Sequence, residues 1–546
     1  MLALRGARDQ RWLLIFAAII IVGLGIRLMF LGDRALWLDE AYSVWFSDRT
    51  WHYLWREVPQ FETHPPLYYS LLKLWRSLGS DEFTLRLLSA LVSLATVPMV
   101  ALASYIAAPS RHKLPLAATA GFLFAVSSVQ QEYAQQARPY AFLVFGMSLT
   151  LTSALWILVH PARSRRSLFR LADWDRTAVF AYAGLGTGMA MLMWMHNLGV
   201  VFTGVIGVVL IAWWISQAGH RLPLFANLSS AAILVLALYA VNIPTLLLQT
   251  QSVSENFWLE APSFTQTLQV ALQLYGQWQL AVGTHLVQYM IQLMIGIPLA
   301  VLGLAATWRF CAQSRDLRWA FCLLLATAVG PVLLMLALTF TVQPVFMLRT
   351  LIPVQVPWMI ICAAAPFAVP PKRSPTVWRM LLAIGLISIA SFSFQNATQE
   401  RRDQQRPWRK VAEQIANSSA PDAPVIILPN SVGNAIEYYD IQLDLNLDTH
   451  ALPGRYPVRG PGYHYPAGGA GEPGMDDRAL AALAEVTRNT DTVWLVTRFE
   501  RLFDPEQLVR RSLSREFSCS TGSGPGFITV TRFDRFTDGS RSEICQ

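Results

Sequence analysis

Two adjacent carboxylates, Asp39 and Glu40 in ALWLDEAYS (35–43), follow an apolar run long enough to cross a membrane. Charge that close to hydrocarbon is costly, so such groups read as functional candidates. Carboxylates can take protons, and cations can stabilise an anion that leaves. Arg138, with Tyr140 two residues on, and Arg349 each stand at the mouth of an apolar run, where a guanidinium offers a planar fork suited to phosphate oxygens. His64 opens HPPLYY, whose two prolines restrict the loop and can hold an imidazole in one place. Glu62, Glu132 and His196 are weaker candidates. Several have a plainer alternative: a helix-capping pair for Asp39 and Glu40, snorkelling to headgroups for Arg138, a satisfied loop histidine for His64 and a packed histidine for His196.

The elements that must position these groups are membrane helices. The chain has 546 residues, 53% hydrophobic and 14% charged, with mean hydropathy +0.37, against roughly 25% charged for a soluble protein. The net charge of +8 does not indicate nucleic acid, because much of the Arg and Lys lies in short loops between apolar spans. Residues 12–31 read as a retained first helix rather than a cleaved signal, since no small-residue cleavage site follows. Further spans are expected near 85–107, 114–130, 139–159, 177–195, 198–216, 223–247, 285–307, 319–341, 351–370 and 380–396, about eleven in all.

Basic residues fall on alternate loops: Arg5, Arg8 and Arg11; Arg111 and Lys113; Arg163, Arg165, Arg166 and Arg170; Arg309, Arg315 and Arg318; Lys372, Arg373 and Arg379. The positive-inside rule makes those loops cytoplasmic. The N-terminus is then cytoplasmic. The first long loop (about 33–84), the loops near 131–138, 248–284 and 342–350, and the tail from about 397 face outward. In the first loop, WHYLWREV (51–58) and LYYSLLKLWRSL (67–78) carry apolar residues at helical spacing, with Lys73 and Arg76 expected to face headgroups.

The tail divides the chain into a membrane domain, 1–398, and a small α/β domain, 399–546, expected outside the membrane. A helix is expected over 399–416 and strands at PVIILPN (424–430), TVWLVTRF (492–499) and FITVTRF (527–533). The Pro- and Gly-rich stretch 453–474 reads as a long mobile loop. Cys311, Cys322 and Cys362 show no metal-ligand spacing. Cys519 and Cys545 lie in the outer tail, where an oxidising compartment permits a bond, so a disulfide is expected there against two free thiols.

LWLDEAYS (36–43), FETHPPLYYSLL (61–72), EFTLRLLSAL (82–91), EYAQQARPYAFL (132–143), WMHNLGVVF (194–202), SENFWLEAPS (254–263) and QPVFMLRTLIP (343–353), read in this order, resemble the bacterial membrane glycosyltransferases of the family 39 type. That family belongs to the GT-C fold class, with the protein O-mannosyltransferases and the lipid A aminoarabinose transferase. The resemblance runs from about residue 12 to the early 400s and is loose beyond about 420. It implies inverting transfer of a sugar from a polyprenyl-phosphate carrier to an acceptor on the outer face of the inner membrane. The acceptor could be an envelope glycan, lipid or protein. The resemblance makes Asp39 the base and Glu40 its supporting partner, and sets Arg138 near the donor phosphate. His64 stands where the aminoarabinose transferase has a lysine near phosphate, which implies phosphate contact or proton exchange; Arg349 is a second phosphate candidate. Many relatives read Gln-Glu-Ala-Arg where this chain reads Gln135-Gln136-Ala137-Arg138, so a carboxylate is missing unless Glu132, one helical turn earlier, replaces it. A bound divalent metal is left open by that departure.

A transporter or flippase of lipid-linked sugars has the same hydropathy. Transporters keep ionisable groups and broken helices near the bilayer midplane, often in repeated halves. Here the informative charges crowd the outer mouth. A non-catalytic scaffold would leave Asp39, Glu40, His64 and Arg138 unexplained.

Overall fold

The computed structural model describes residues 7–166, 168, 175–217, 219, 221–247, 249, 261–276, 286–368, 407–458, 463, 465–466, 472–520 and 528–536. Seven described helices are long and apolar enough to cross a membrane: Gln10–Leu28, Glu82–Ala107, Tyr140–Val159, Arg176–Met195, Arg221–Leu247, Arg315–Thr341 and Leu348–Phe367. Gly199–Ile215 and Gly296–Cys311 are shorter apolar helices. The protein is a multi-pass membrane protein. The expected span 380–396, the domain boundary at 398/399 and most of SENFWLEAPS lie outside the described residues.

The helices are α1 (Ala7–Leu28), α2 (Leu38–Asp48), α3 (Trp51–Arg56), α4 (Leu67–Trp75), α5 (Glu82–Ala107), α6 (Lys113–Val126), α7 (Ser128–Ala134) and α8 (Tyr140–Val159), followed by the remaining spans. Asp81 starts α5 by accepting the Thr84 N–H at 3.1 Å, the usual solution for an unpaired helix N-terminus. The loops divide between two ends of the bundle. At one, His112 packs on Phe310 and Phe367, Arg165 donates to Gln217 and Arg315 to the Ser216 carbonyl. The first long loop, α7, Asn197, Arg349 and the C-terminal domain meet at the other.

One expected span fails at a helix end. The expected span 114–130 stops at Val126, and α7 begins anew behind a Ser127 cap. The break is tolerated because Arg27, buried in α1, donates to the Ala125 and Phe124 carbonyls and to Ser93 Oγ. In return Gln131 of α7 and Gln135, the residue that caps its C-terminus, donate to carbonyls at and just past the end of α1, those of Ile26, Arg27 and Met29. Side chains therefore satisfy the carbonyls that end α6 and α1, as helix termini within an apolar bilayer require. The expected span 351–370 corresponds to Leu348–Phe367, which opens with the short turns Leu348–Leu351 and Ile352–Val354 before the helix Gln355–Cys362.

The first loop forms α2, α3 and α4, of which α3 and α4 fall on the expected amphipathic segments. Lys73 and Arg76 do not face outward as expected. Lys73 donates to the Ser47 carbonyl, and Arg76 bonds Asp48, Ser47 and Ser80, tying α4 back to the end of α2. Leu74 and Leu78 are the exposed large apolar residues there.

The C-terminal domain carries the helix Trp408–Ala416 and a five-stranded sheet in the order β2-β1-β3-β5-β4. The strands are β1 (Val425–Leu428), β2 (Thr449–Ala451), β3 (Thr492–Arg498), β4 (Phe517–Cys519) and β5 (Ile528–Arg535). β1 pairs in parallel with β2 and β3; β5 runs antiparallel to β3 and β4. The central β1 and β3 are buried apolar runs, as strands covered on both faces must be. β2, β4 and the helices Gly433–Leu443 and Asp477–Thr487 were not expected from sequence. Described parts of 453–474 hold no regular element. The domain docks by Tyr439 OH, which accepts the Leu36 N–H at 2.6 Å, and by Arg409, 2.5 Å from Glu82. Cys519 is disulfide-bonded; its expected partner Cys545 lies outside the described residues. Cys311, Cys322 and Cys362 are free thiols.

Candidate active site

Asp39 and Glu40 are neighbours in sequence but point to different places, because successive residues on a helix stand about 100° apart. Glu40 turns inward and is fully buried. Both of its oxygens accept from Arg86 at 2.8 Å, a bidentate pair from which water is excluded. The same carboxylate accepts the Ala137 N–H at 2.9 Å and the Trp37 N–H at 3.2 Å. Arg86 also donates to the carbonyls of Leu31, Arg34 and Ala35. The pair thus pins three segments together: the turn before α2, α5, and the strand of loop that carries Arg138. Glu40 does cap α2 through Trp37, so the capping alternative holds for Glu40 and not for its neighbour.

Breaking a buried ion pair from one side leaves an uncompensated charge, at about 3–5 kcal/mol. Glu40→Gln is therefore expected to lower stability by about that amount, read as a lower thermal midpoint in detergent. An unchanged midpoint would contradict the pinning role.

Asp39 stays at the open face, with its side chain 25% exposed. Its Oδ2 accepts from Arg349 at 3.0 Å and lies 4.0 Å from Arg138. Arg138 is buried, 4% exposed in its side chain. Its Nη1 donates to the Asp39 carbonyl and Ser43 Oγ, both at 3.2 Å, and to Tyr69 OH at 3.4 Å. Its Nη2 lies 3.5 Å from both ring nitrogens of His64, and its Nε has no partner. Tyr140 lies beneath the guanidinium, 5.9 Å from ring centroid to Cζ, with its buried hydroxyl likewise unpartnered. Donors held ready without a protein partner are what an anion site requires.

His64 bridges Arg138 to Glu62. Its Nδ1 is 2.5 Å from Glu62 Oε1, and its backbone N–H donates to the same oxygen at 3.0 Å. Burial pushes the His64 imidazole down, Arg138 pushes the same way, and Glu62 pulls it back up, for a net lowering. Burial alone would raise Glu62, but His64 and Arg138 hold it well below the usual carboxylate range, at about 2. The ionised Glu62 beside Nδ1 favours the Nδ1–H tautomer, which leaves Nε2, 3.5 Å from Arg138 Nη2, as an acceptor. The ring of His196 packs edge-on against His64 at 4.9 Å, while its Nδ1 accepts the Leu198 N–H.

Asp39, Arg138, Arg349, His64, Glu62, Tyr140 and His196 are thus brought into one connected set. Glu132 stands apart from Asp39's partners: it pairs with Arg34 at 3.2 Å and accepts from Gln136 at 2.9 Å. Sequence reasoning missed Arg86, Arg34, Ser43 and Tyr69. A signal existed for Arg86, since an arginine one turn into an apolar span demands a partner. None existed for Ser43 or Tyr69. Among the described residues no group of three or more His, Cys, Asp or Glu side chains could hold a metal ion.

Neither a family profile nor a curated protein sequence matches the chain. Solved structures do. ArnT from Cupriavidus metallidurans in the apo state aligns with TM-score 0.57 and 14% identity, over 96% of this chain and 98% of that one. The same protein bound to undecaprenyl phosphate aligns at 0.56 and 14%, over 95% and 97%. The Archaeoglobus fulgidus oligosaccharyltransferase tethered to an acceptor peptide aligns at 0.54 and 12%, over 97% of this chain and 74% of that one. Identities this low establish the shared architecture, and with the helical bundle and its docked α/β domain they give this chain the GT-C fold.

Proposed function

We propose that the protein transfers a sugar from a polyprenyl-phosphate carrier to an acceptor hydroxyl, with inversion, at the periplasmic face of a bacterial inner membrane. One observation carries the reading: a carboxylate at an open face, Asp39, between two arginines 3.0 and 4.0 Å away. In the reaction the acceptor oxygen bonds to the anomeric carbon, its proton passes to Asp39, and the bond from that carbon to the phosphate oxygen breaks. The departing phosphate gains a negative charge, which Arg138 and Arg349 are placed to meet. Because the donor phosphate is already anionic, the same two cations serve binding and departure.

The resemblance of fold to a protein crystallised with undecaprenyl phosphate supports a lipid carrier. The periplasmic face rests on the basic loops gathered at the opposite end of the bundle. A divalent metal does not suit the donor set. Among the described residues of the site, Glu40 is matched by Arg86, Glu132 by Arg34, Asp39 by Arg349 and Glu62 by Arg138 with His64, so none of these four carboxylates is in surplus to hold a dication. The arginines supply the positive charge in its place.

The reading is tested by mass spectrometry of envelope lipids and polysaccharides from a deletion strain. One sugar mass should vanish from a component outside the cytoplasm and return with the wild-type gene. An unchanged profile, or a change confined to cytoplasmic glycans, would contradict it.

A further inference from the structure

The sheet of the C-terminal domain has a feature that docking alone does not use. β1 and β3 run parallel with Leu428 beside Thr497, so their carboxyl ends lie together. From β1 the chain turns to β2 on one side, and from β3 it leads to β5 and β4 on the other. Such switch points open a crevice beyond the strand ends, where open α/β sheets take ligands. Beyond β1 lies Asn430, 1% exposed, with neither its amide oxygen nor its amide nitrogen partnered. Asn434, four residues on and 6% exposed, has an unpartnered amide nitrogen. Buried amides in folded proteins are nearly always bonded, so two unmet side chains one turn apart call for a ligand.

Other groups converge here. Ser431 and Tyr42 both donate to the half-buried Glu472, Tyr42 at 2.8 Å, and Arg498 at the end of β3 acts on the same carboxylate. Tyr42 belongs to α2, and its ring packs on Tyr456 at 5.1 Å; Trp45 and Phe61 meet Tyr456 at 5.3 and 6.0 Å. Tyr42 is three residues beyond Asp39, hence on the same helix face and about 5–6 Å away between Cβ atoms.

We infer that this junction of α2 with the carboxyl ends of β1 and β3 is the acceptor subsite, and that the acceptor it takes is a saccharide. The inference rests on the proposed transfer reaction and names its second substrate. An amide presents a donor and an acceptor side by side, the pattern met by neighbouring sugar hydroxyls, each of which donates and accepts. The aromatic wall suits the apolar face of a sugar ring. A peptide added as a strand would need a sheet edge, and β1 and β3 are interior strands.

The test uses the full chain in detergent. Saturation-transfer NMR is run with the methyl glycosides of glucose, galactose, mannose and N-acetylglucosamine and with a Ser/Thr-rich peptide, and undecaprenyl phosphate binding is read separately by tryptophan quenching. At least one glycoside should receive saturation, and the Asn430→Ala/Asn434→Ala double variant should lose about tenfold or more of that binding, as removal of one to two hydrogen bonds implies, while keeping its affinity for undecaprenyl phosphate. A signal retained in the double variant, no signal from any glycoside with wild-type protein, or saturation of the peptide alone would overturn the inference. Glycoside binding without undecaprenyl phosphate binding would instead remove the lipid-linked donor and leave the subsite standing. Should the double variant lose the lipid too, Asn434→Ala alone supplies the same contrast.

Discussion

Asp39→Asn is expected to cut sugar transfer by about 10²–10⁴-fold, the usual contribution of a general base, without loss of donor binding. The substitution keeps the volume and leaves an amide oxygen to accept from Arg349, which Asp39 now meets at 3.0 Å. It removes the proton acceptor and one negative charge beside the phosphate site. Affinity for the anionic donor should accordingly stay the same or tighten. That pattern, a lower kcat with an unchanged or lower KM, marks a group that acts mainly in the transition state. Near-normal turnover would make Asp39 only a counter-ion for the two arginines.

Arg138→Ala should behave differently, with weaker donor binding as well as slower transfer. Both ground state and transition state carry anionic phosphate, so one cation serves both. A charge-assisted hydrogen bond is worth about 1.5–3 kcal/mol, or about 10–150-fold in affinity. The rate should fall by a further 10²–10³-fold or so, as it does when an oxyanion donor is lost. Arg138→Lys should recover only part of this, because an ammonium cannot fork between two oxygens while also reaching Ser43 and Tyr69. Full recovery by lysine would show that charge alone matters. Donor affinity is measured by tryptophan quenching with undecaprenyl phosphate, with the thermal midpoint as a control for folding.

The sequence made the spans legible because hydropathy reports burial in lipid, and that pattern survives in helix after helix of the bundle. It could not report where a span breaks. Whether α6 may end at Val126 depends on Arg27 reaching its carbonyls from α1 and on Gln135 answering from the C-terminal cap of α7, contacts between segments about a hundred residues apart. The candidate residues were legible as types at a membrane mouth, and the structure joins most of them. Their division of labour was not. Asp39 and Glu40 read as a pair, yet one faces an open site and the other is locked on Arg86, a split that becomes visible only once α2 is known to be a helix. Lys73 and Arg76 misled for a related reason: their spacing suits a headgroup-facing stripe, but the end of α2 lies within reach and its carbonyls and Asp48 need donors. In the tail, β1 and β3 announced themselves as apolar runs, whereas β2 and β4 are three residues each and exist only through pairing with neighbours distant in sequence.

Transfer of a glycosyl bond at the mouth formed by Asp39, Arg138 and Arg349 separates an enzyme from a transporter. Its most direct test is purified protein in liposomes with a polyprenyl-phosphate donor labelled in the sugar, incubated with and without envelope acceptor. Wild-type protein is expected to release unlabelled polyprenyl phosphate and to place label in the acceptor, both only when acceptor is present and both reduced by about 10²-fold or more in Asp39→Asn. Movement of intact labelled lipid between leaflets without cleavage, equal in wild type and Asp39→Asn, would contradict it and establish transport instead.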